Sequence, residues 1–197
     1  MKPSPNVIAI HGIHDDGDDG IDELAREVAL EVGAPIFLPT LRRSSALGDY
    51  FAGNVEHDAE KVARYINSKS LVLTHSRGAY VLDQALRHFG KWADKVFMFA
   101  PALPSNMVPG AGRFNHLWVM HNKHDRALKW SRFLPWHPYA NFFGGSLGRD
   151  GYTGANTGKI TNIRNDSNRS FLDHSEYWAD ANERAAWAAH VVKWARL

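Results

Sequence analysis

Short apolar runs bounded by turn residues alternate along the chain with stretches whose apolar positions recur every three or four residues. Val7-Ile8-Ala9-Ile10 is continuous and apolar, ends at His11-Gly12, and predicts a buried strand. Asp22 to Val32 predicts a helix, with acidic residues in its first turn to complement the dipole and Gly33 after its end. Pro35 to Leu38 reads as a short strand. Val55 to Asn67 then sets Val55, Ala59, Val62, Ala63 and Ile66 on one helical face. Leu71-Val72-Leu73 predicts a strand, Gly78 to Phe89 a helix, and Val96 to Ala100 and Leu117 to Met120 two more buried strands. Strands alternating with helices in this way imply a mostly parallel sheet covered on both faces, a three-layer α/β/α sandwich of about six strands.

The last helix is expected from Ser175 to Ala195. Trp178, Ala181, Ala185, Ala188, Val192 and Ala195 form its apolar stripe, widened by Trp187, Val191 and Trp194. One segment breaks the rhythm. Between Asp125 and a weak strand at Lys159 to Ile163 lies a long stretch rich in aromatics, glycine and proline. Its core, 129–158, is expected to be a lid or substrate-lining insertion within a single domain spanning 1–197.

Composition narrows the function. The 197 residues include 23 basic and 21 acidic side chains, a net charge of +2, with no Lys/Arg run, which argues against a nucleic-acid or membrane-surface binder. The absence of cysteine removes thiol catalysis, Fe–S clusters and Cys-containing zinc sites. With no apolar signal core near Met1 and no run long enough to span a membrane, a cytoplasmic chain is expected. Eleven histidines and seven tryptophans remain to be explained.

The stretch Leu71-Val72-Leu73-Thr74-His75-Ser76-Arg77-Gly78 runs an apolar strand into a serine with a helix beginning almost at once. A serine exposed on such a sharp turn needs small residues two positions away on either side. Gly78 provides one of them, whereas the β-branched Thr74 occupies the other place. The helix behind Ser76 would aim its N-terminal amides at charge developing on a substrate. A serine merely capping a helix is the structural alternative.

Asp125 follows the strand ending at Met120, and His174 precedes the final helix, so serine, acid and histidine occur in that order, the last two after later strands. His11-Gly12 ends the first strand, where the chain must bend. On these residues the chain resembles the α/β-hydrolase family over nearly its whole length. The resemblance implies that Ser76 is the nucleophile, His174 the base and then acid, and Asp125 the residue orienting the imidazole. It implies further that the backbone N–H groups of Ile13 and Arg77 form the oxyanion hole, and that two N-terminal strands of the family are missing. The activity implied is that of a compact serine esterase acting on a small or lipid-like ester, without metal or organic cofactor. Thioester or amide cleavage by the same triad and a non-catalytic binding module on this scaffold stay open.

Other polar residues compete for roles. His14, His124, Trp130, Phe133 and Trp136 are candidates for contact with substrate, as is His121. His75 is expected to point to the opposite side of the elbow and to pack or hydrogen-bond there. His137 and His190 are alternative bases, and Asp166 and Asp173 alternative acids. The acidic run Asp15 to Glu23 departs from the spacing of an EF-hand loop and reads as a solvated loop leading into a helix.

Overall fold

The computed structural model describes residues 3–12, 20–41, 53–131, 146–155, 157–165, 174, 176–178 and 180–196. The strands are β1 (Asn6–Ile10), β2 (Ile36–Phe37), β3 (Ser70–His75), β4 (Ala93–Phe99), β5 (Phe114–His121) and β6 (Ile160–Arg164). All neighbours pair in parallel, in the order β2-β1-β3-β4-β5-β6. Helices α1 (Ile21–Val32), α2 (Gly53–Ala63), α3 (Gly78–His88), α4 (Arg126–Ser131), α5 (Ser146–Asp150) and α6 (Ala181–Ala195) surround it.

Burial on both faces explains why the central strands read as continuous apolar runs. Alternate residues feed two cores. Ile8, Ile10, Val72, Val96, Met98, Leu117 and Val119 join the apolar sides of α2 and α3. Val7, Ala9, Leu71, Leu73, Phe97, Phe99, Trp118 and Met120 join those of α1 and α6. The second core is aromatic. Phe97 stacks on Trp118 at 4.6 Å between ring centroids, and Trp194 lies against both. Trp187 meets Phe99 and Tyr177 edge-on. Four of the seven tryptophans (Trp118, Trp178, Trp187 and Trp194) thus pack in or against this layer.

The final helix differs from its sequence expectation. It begins at Ala181, preceded by a 3₁₀ turn at Glu176–Trp178. Asp180 is extended (φ −142°) and its carboxylate accepts hydrogen bonds from the amides of Asn182 and Glu183. That cap satisfies amides that an uninterrupted helix from Ser175 would have bonded internally. The buried face shifts accordingly to Ala188, Val191 and Val192, while Ala181 and Ala185 are exposed. Arg184 binds Glu23 and Glu27, which ties α6 to α1.

Of the expected insertion at 129–158, residues 132–145 fall outside the described residues. Its far end belongs to the core. Leu147 of α5 is fully buried, and a Cβ on Gly148 would lie 2.5 Å from Leu128 Cδ1 and 2.7 Å from the carbonyl carbon of Ala100. Only a residue without a side chain lets α5 sit this close to the loop after β4.

Candidate active site

The strand order reverses between β1 and β3: the chain steps outward to β2 from one and toward β6 from the other. In open parallel sheets such a reversal leaves a crevice at the carboxyl ends of the two strands. Gly12 lies just beyond the end of β1, and Ser76 immediately follows β3.

Ser76 has φ +52°, in the left-handed region that residues with a Cβ rarely occupy. Such a conformation costs about 1–3 kcal/mol and persists only where its surroundings enforce it. Here they do. The Ser76 amide donates to the carbonyl of Phe99 at 3.1 Å, and its carbonyl accepts from Ala79 and Ala102. The left-handed residue turns the chain from β3 into α3 within two residues. It also brings α3 against β1 so closely that a Cβ on Gly78 would stand 2.1 Å from the carbonyl oxygen of Ile10. The requirement for glycine at position 78 is therefore a contact between backbones.

Thr74 occupies the other small-residue position. It is fully buried, and its hydroxyl has no hydrogen-bond partner among the described residues. A buried hydroxyl without a partner costs about 1–3 kcal/mol, and valine has nearly the same shape. Thr74→Val is therefore expected to raise stability by about 1 kcal/mol in urea denaturation; a loss of stability would show that the hydroxyl is satisfied.

Asp125 and His174 meet. His174 Nδ1 donates to Asp125 Oδ2 at 2.6 Å, and the carboxylate is buried. The other carboxylate oxygen accepts from the amide of Leu128 at 2.8 Å, so Asp125 caps α4 while holding the histidine. Asn122, itself buried, donates its amide to Gly148 and accepts from the amide of His124, which shapes the loop carrying Asp125. With Nδ1 bound to carboxylate, the imidazole keeps Nε2 for other work. Among the described residues Ser76 makes its hydrogen bonds through its backbone, and none closes between its side chain and His174.

The other candidates are dispersed. His75 lies on the α6 side of the sheet, in line with Leu71 and Leu73, and there meets His174: its Nε2 donates to the His174 carbonyl at 3.2 Å. His121 Nδ1 donates to the Arg149 carbonyl, and His11 Nδ1 to the carbonyl of Gly12. His190 is exposed on α6, with its ring against Trp194. Trp130 lies on α4. Ile13, His14, Phe133, Trp136, His137, Asp166 and Asp173 lie outside the described residues, as does most of the acidic run from Asp15. Among the described residues no cluster of three or more His, Asp or Glu is set to hold a metal. Nor is any described helix long and apolar enough to cross a membrane.

A buried ion pair escaped the sequence reading. Arg77 donates to Asp58 Oδ2 at 3.0 Å, with the two side chains 2% and 0% exposed. The pair anchors the residue after Ser76 to α2. Its signal was legible in the helical spacing, because Asp58 stands three residues after Val55 and four before Val62, on the apolar stripe. A carboxylate there requires a buried counter-charge.

No family model matches the sequence, and no curated protein matches it. Among solved structures, the chain is similar to a protein from Xanthomonas campestris pv. campestris described as a hydrolase of the alpha/beta superfamily. The identity is 13%, the match covers 98% of this chain and 99% of the other, and the TM-score is 0.53. A Pyrobaculum calidifontis esterase matches at 13% identity over 97% of this chain and 76% of its own, with a TM-score of 0.46. The first likeness, with the six-stranded parallel sheet, identifies the fold as that of the α/β hydrolases.

Proposed function

We propose that this chain is a serine hydrolase that cleaves a carboxylic ester through an acyl-enzyme intermediate. The observation that carries the reading is the 2.6 Å bond between Asp125 and His174, with Asp125 following β5 as Ser76 follows β3, beyond the carboxyl ends of parallel strands. In this reading Ser76 Oγ attacks the ester carbonyl while His174 Nε2 takes its proton. Asp125 holds the ring and stabilises the imidazolium that forms. The tetrahedral oxyanion is met by the N–H groups of Arg77 and Ile13, at the start of α3 and beyond the end of β1. His174 then protonates the departing alcohol. Water loses a proton to the same histidine and attacks the acyl-serine; His174 then returns that proton to Ser76 Oγ as the acyl–oxygen bond breaks and the acid leaves. The residues named suffice for each step, and none requires a cofactor. The neighbour described as a hydrolase supports this class of chemistry through the shared fold.

The test is a fluorophosphonate probe followed by peptide mapping. Folded protein is expected to be labelled at Ser76, and Ser76→Ala to remain unlabelled and to hydrolyse p-nitrophenyl acetate at least a thousandfold more slowly. A folded wild-type protein that takes no label would instead be a binding module on a hydrolase scaffold. A panel of acyl esters, thioesters and anilides of matched chain length then ranks the leaving group, with esters expected to be fastest.

A further inference from the structure

We infer that His75 is a positioning residue: it holds the main chain of His174 so that Nε2 is presented toward Ser76. The inference rests on the serine-hydrolase reading and extends it to a residue that this reading does not use. Asp125 fixes the His174 ring at Nδ1. A ring held at one nitrogen can still swing if its backbone shifts, and His174 belongs to a loop rather than a helix or strand. His75 acts on that backbone. Its Nε2 lies 3.2 Å from the His174 carbonyl oxygen, which can only accept, so His75 carries a proton on Nε2 and donates it.

The rest of the environment fits a rigid support. His75 is 3% exposed, at the last position of β3, with its ring 4.8 Å from that of His174 and tilted by 43°. The edge of Trp178 closes the far side at 4.8 Å and 85°. Trp178 in turn packs on Phe99, whose carbonyl holds the Ser76 amide. One rigid strand end therefore carries the nucleophile on Ser76 and the support for its base on the residue before it. The spacing between the two catalytic groups is then set by a single peptide unit of β3 instead of by the loop preceding α6. Errors of about 1 Å in such spacing can cost a hundredfold in rate, which makes support of this kind consequential.

Three variants and one spectrum test the assignment. His75→Phe keeps a ring against Trp178 and removes the donor. It is expected to lower kcat on p-nitrophenyl acetate by about ten- to a hundredfold with KM nearly unchanged. His75→Gln restores an amide donor near the position of Nε2 and is expected to recover most of that loss. In a His174→Ala background, His75→Phe should cost nothing more, because its effect passes through the missing ring. A kcat for His75→Phe within twofold of wild type, no rescue by glutamine, or the same loss without His174 would each overturn the inference. The wild-type protein supplies a check that needs no variant: nitrogen-15 NMR should find the His75 proton on Nε2, and a proton on Nδ1 alone would overturn it. Fluorophosphonate labelling separates the two levels of the argument. Wild type and His75→Phe labelled at equal rates would overturn the positioning role alone. A folded wild type that takes no label would overturn the serine-hydrolase reading and this inference with it.

Discussion

Asp125→Asn is expected to lower kcat/KM on a short activated ester by on the order of a thousand- to ten-thousandfold, with little change in melting temperature. The reason lies in the two bonds this carboxylate makes. One oxygen accepts from the Leu128 amide and starts α4, and the other accepts from His174 Nδ1. Asparagine can satisfy only one of these. If its oxygen keeps the cap, its NH₂ faces His174 and donates to Nδ1. The imidazole must then carry its proton on Nε2, the atom that in the proposed mechanism receives one from serine. If the amide flips to preserve the histidine bond, the cap is lost at a cost of about 1 kcal/mol. Steady-state kinetics together with a thermal melt separate these outcomes. A variant within tenfold of wild type would remove Asp125 from the proposed mechanism.

Asp58→Ala is expected to destabilise the protein by about 3–5 kcal/mol, read as a lower urea midpoint. The substitution leaves the Arg77 guanidinium buried beside an apolar cavity, without the carboxylate that now faces it at 3.0 Å. Folded domains are typically stable by only about 5–15 kcal/mol, so much of the margin would be lost. Activity should fall as well, because Arg77 directly follows Ser76 and opens the turn into α3. Replacing both partners, as Asp58→Leu with Arg77→Met, should return most of the stability, since a buried pair contributes little beyond an apolar pair of similar volume. A loss below about 1 kcal/mol in Asp58→Ala would mean that another group neutralises Arg77.

Much of the architecture was legible along the chain. Parallel strands buried on both faces leave continuous apolar runs, and those at Val7, Leu71, Val96 and Leu117 became β1, β3, β4 and β5 with ends moved by up to three residues. Helix ends were less legible where side-chain capping competes with apolar periodicity. Asp180 stops α6 short of Ser175 although Trp178 continues the stripe, because two capped amides outweigh one more apolar contact. Aromatic residues after Asp125 read as one insertion, yet Leu147 within that span is core. Local composition does not report which residues return to a distant layer.

For the site, the sequence by itself determined the order serine, acid and histidine, the serine after one strand and the other two after later strands. It also determined the glycine two residues after that serine and, by the absence of cysteine, excluded a thiol nucleophile. These follow from local rules, since strand ends, turns and helix starts are each written in a few adjacent residues. Tertiary structure alone decided that Asp125 and His174 bond, that Gly78 faces a backbone carbonyl of β1, and that Arg77 is neutralised from α2. It also decided that His75 donates to the carbonyl of His174. Each of these joins residues far apart in the chain across a distance of a few ångströms. Such distances are set by how the layers pack, which no short stretch of sequence encodes.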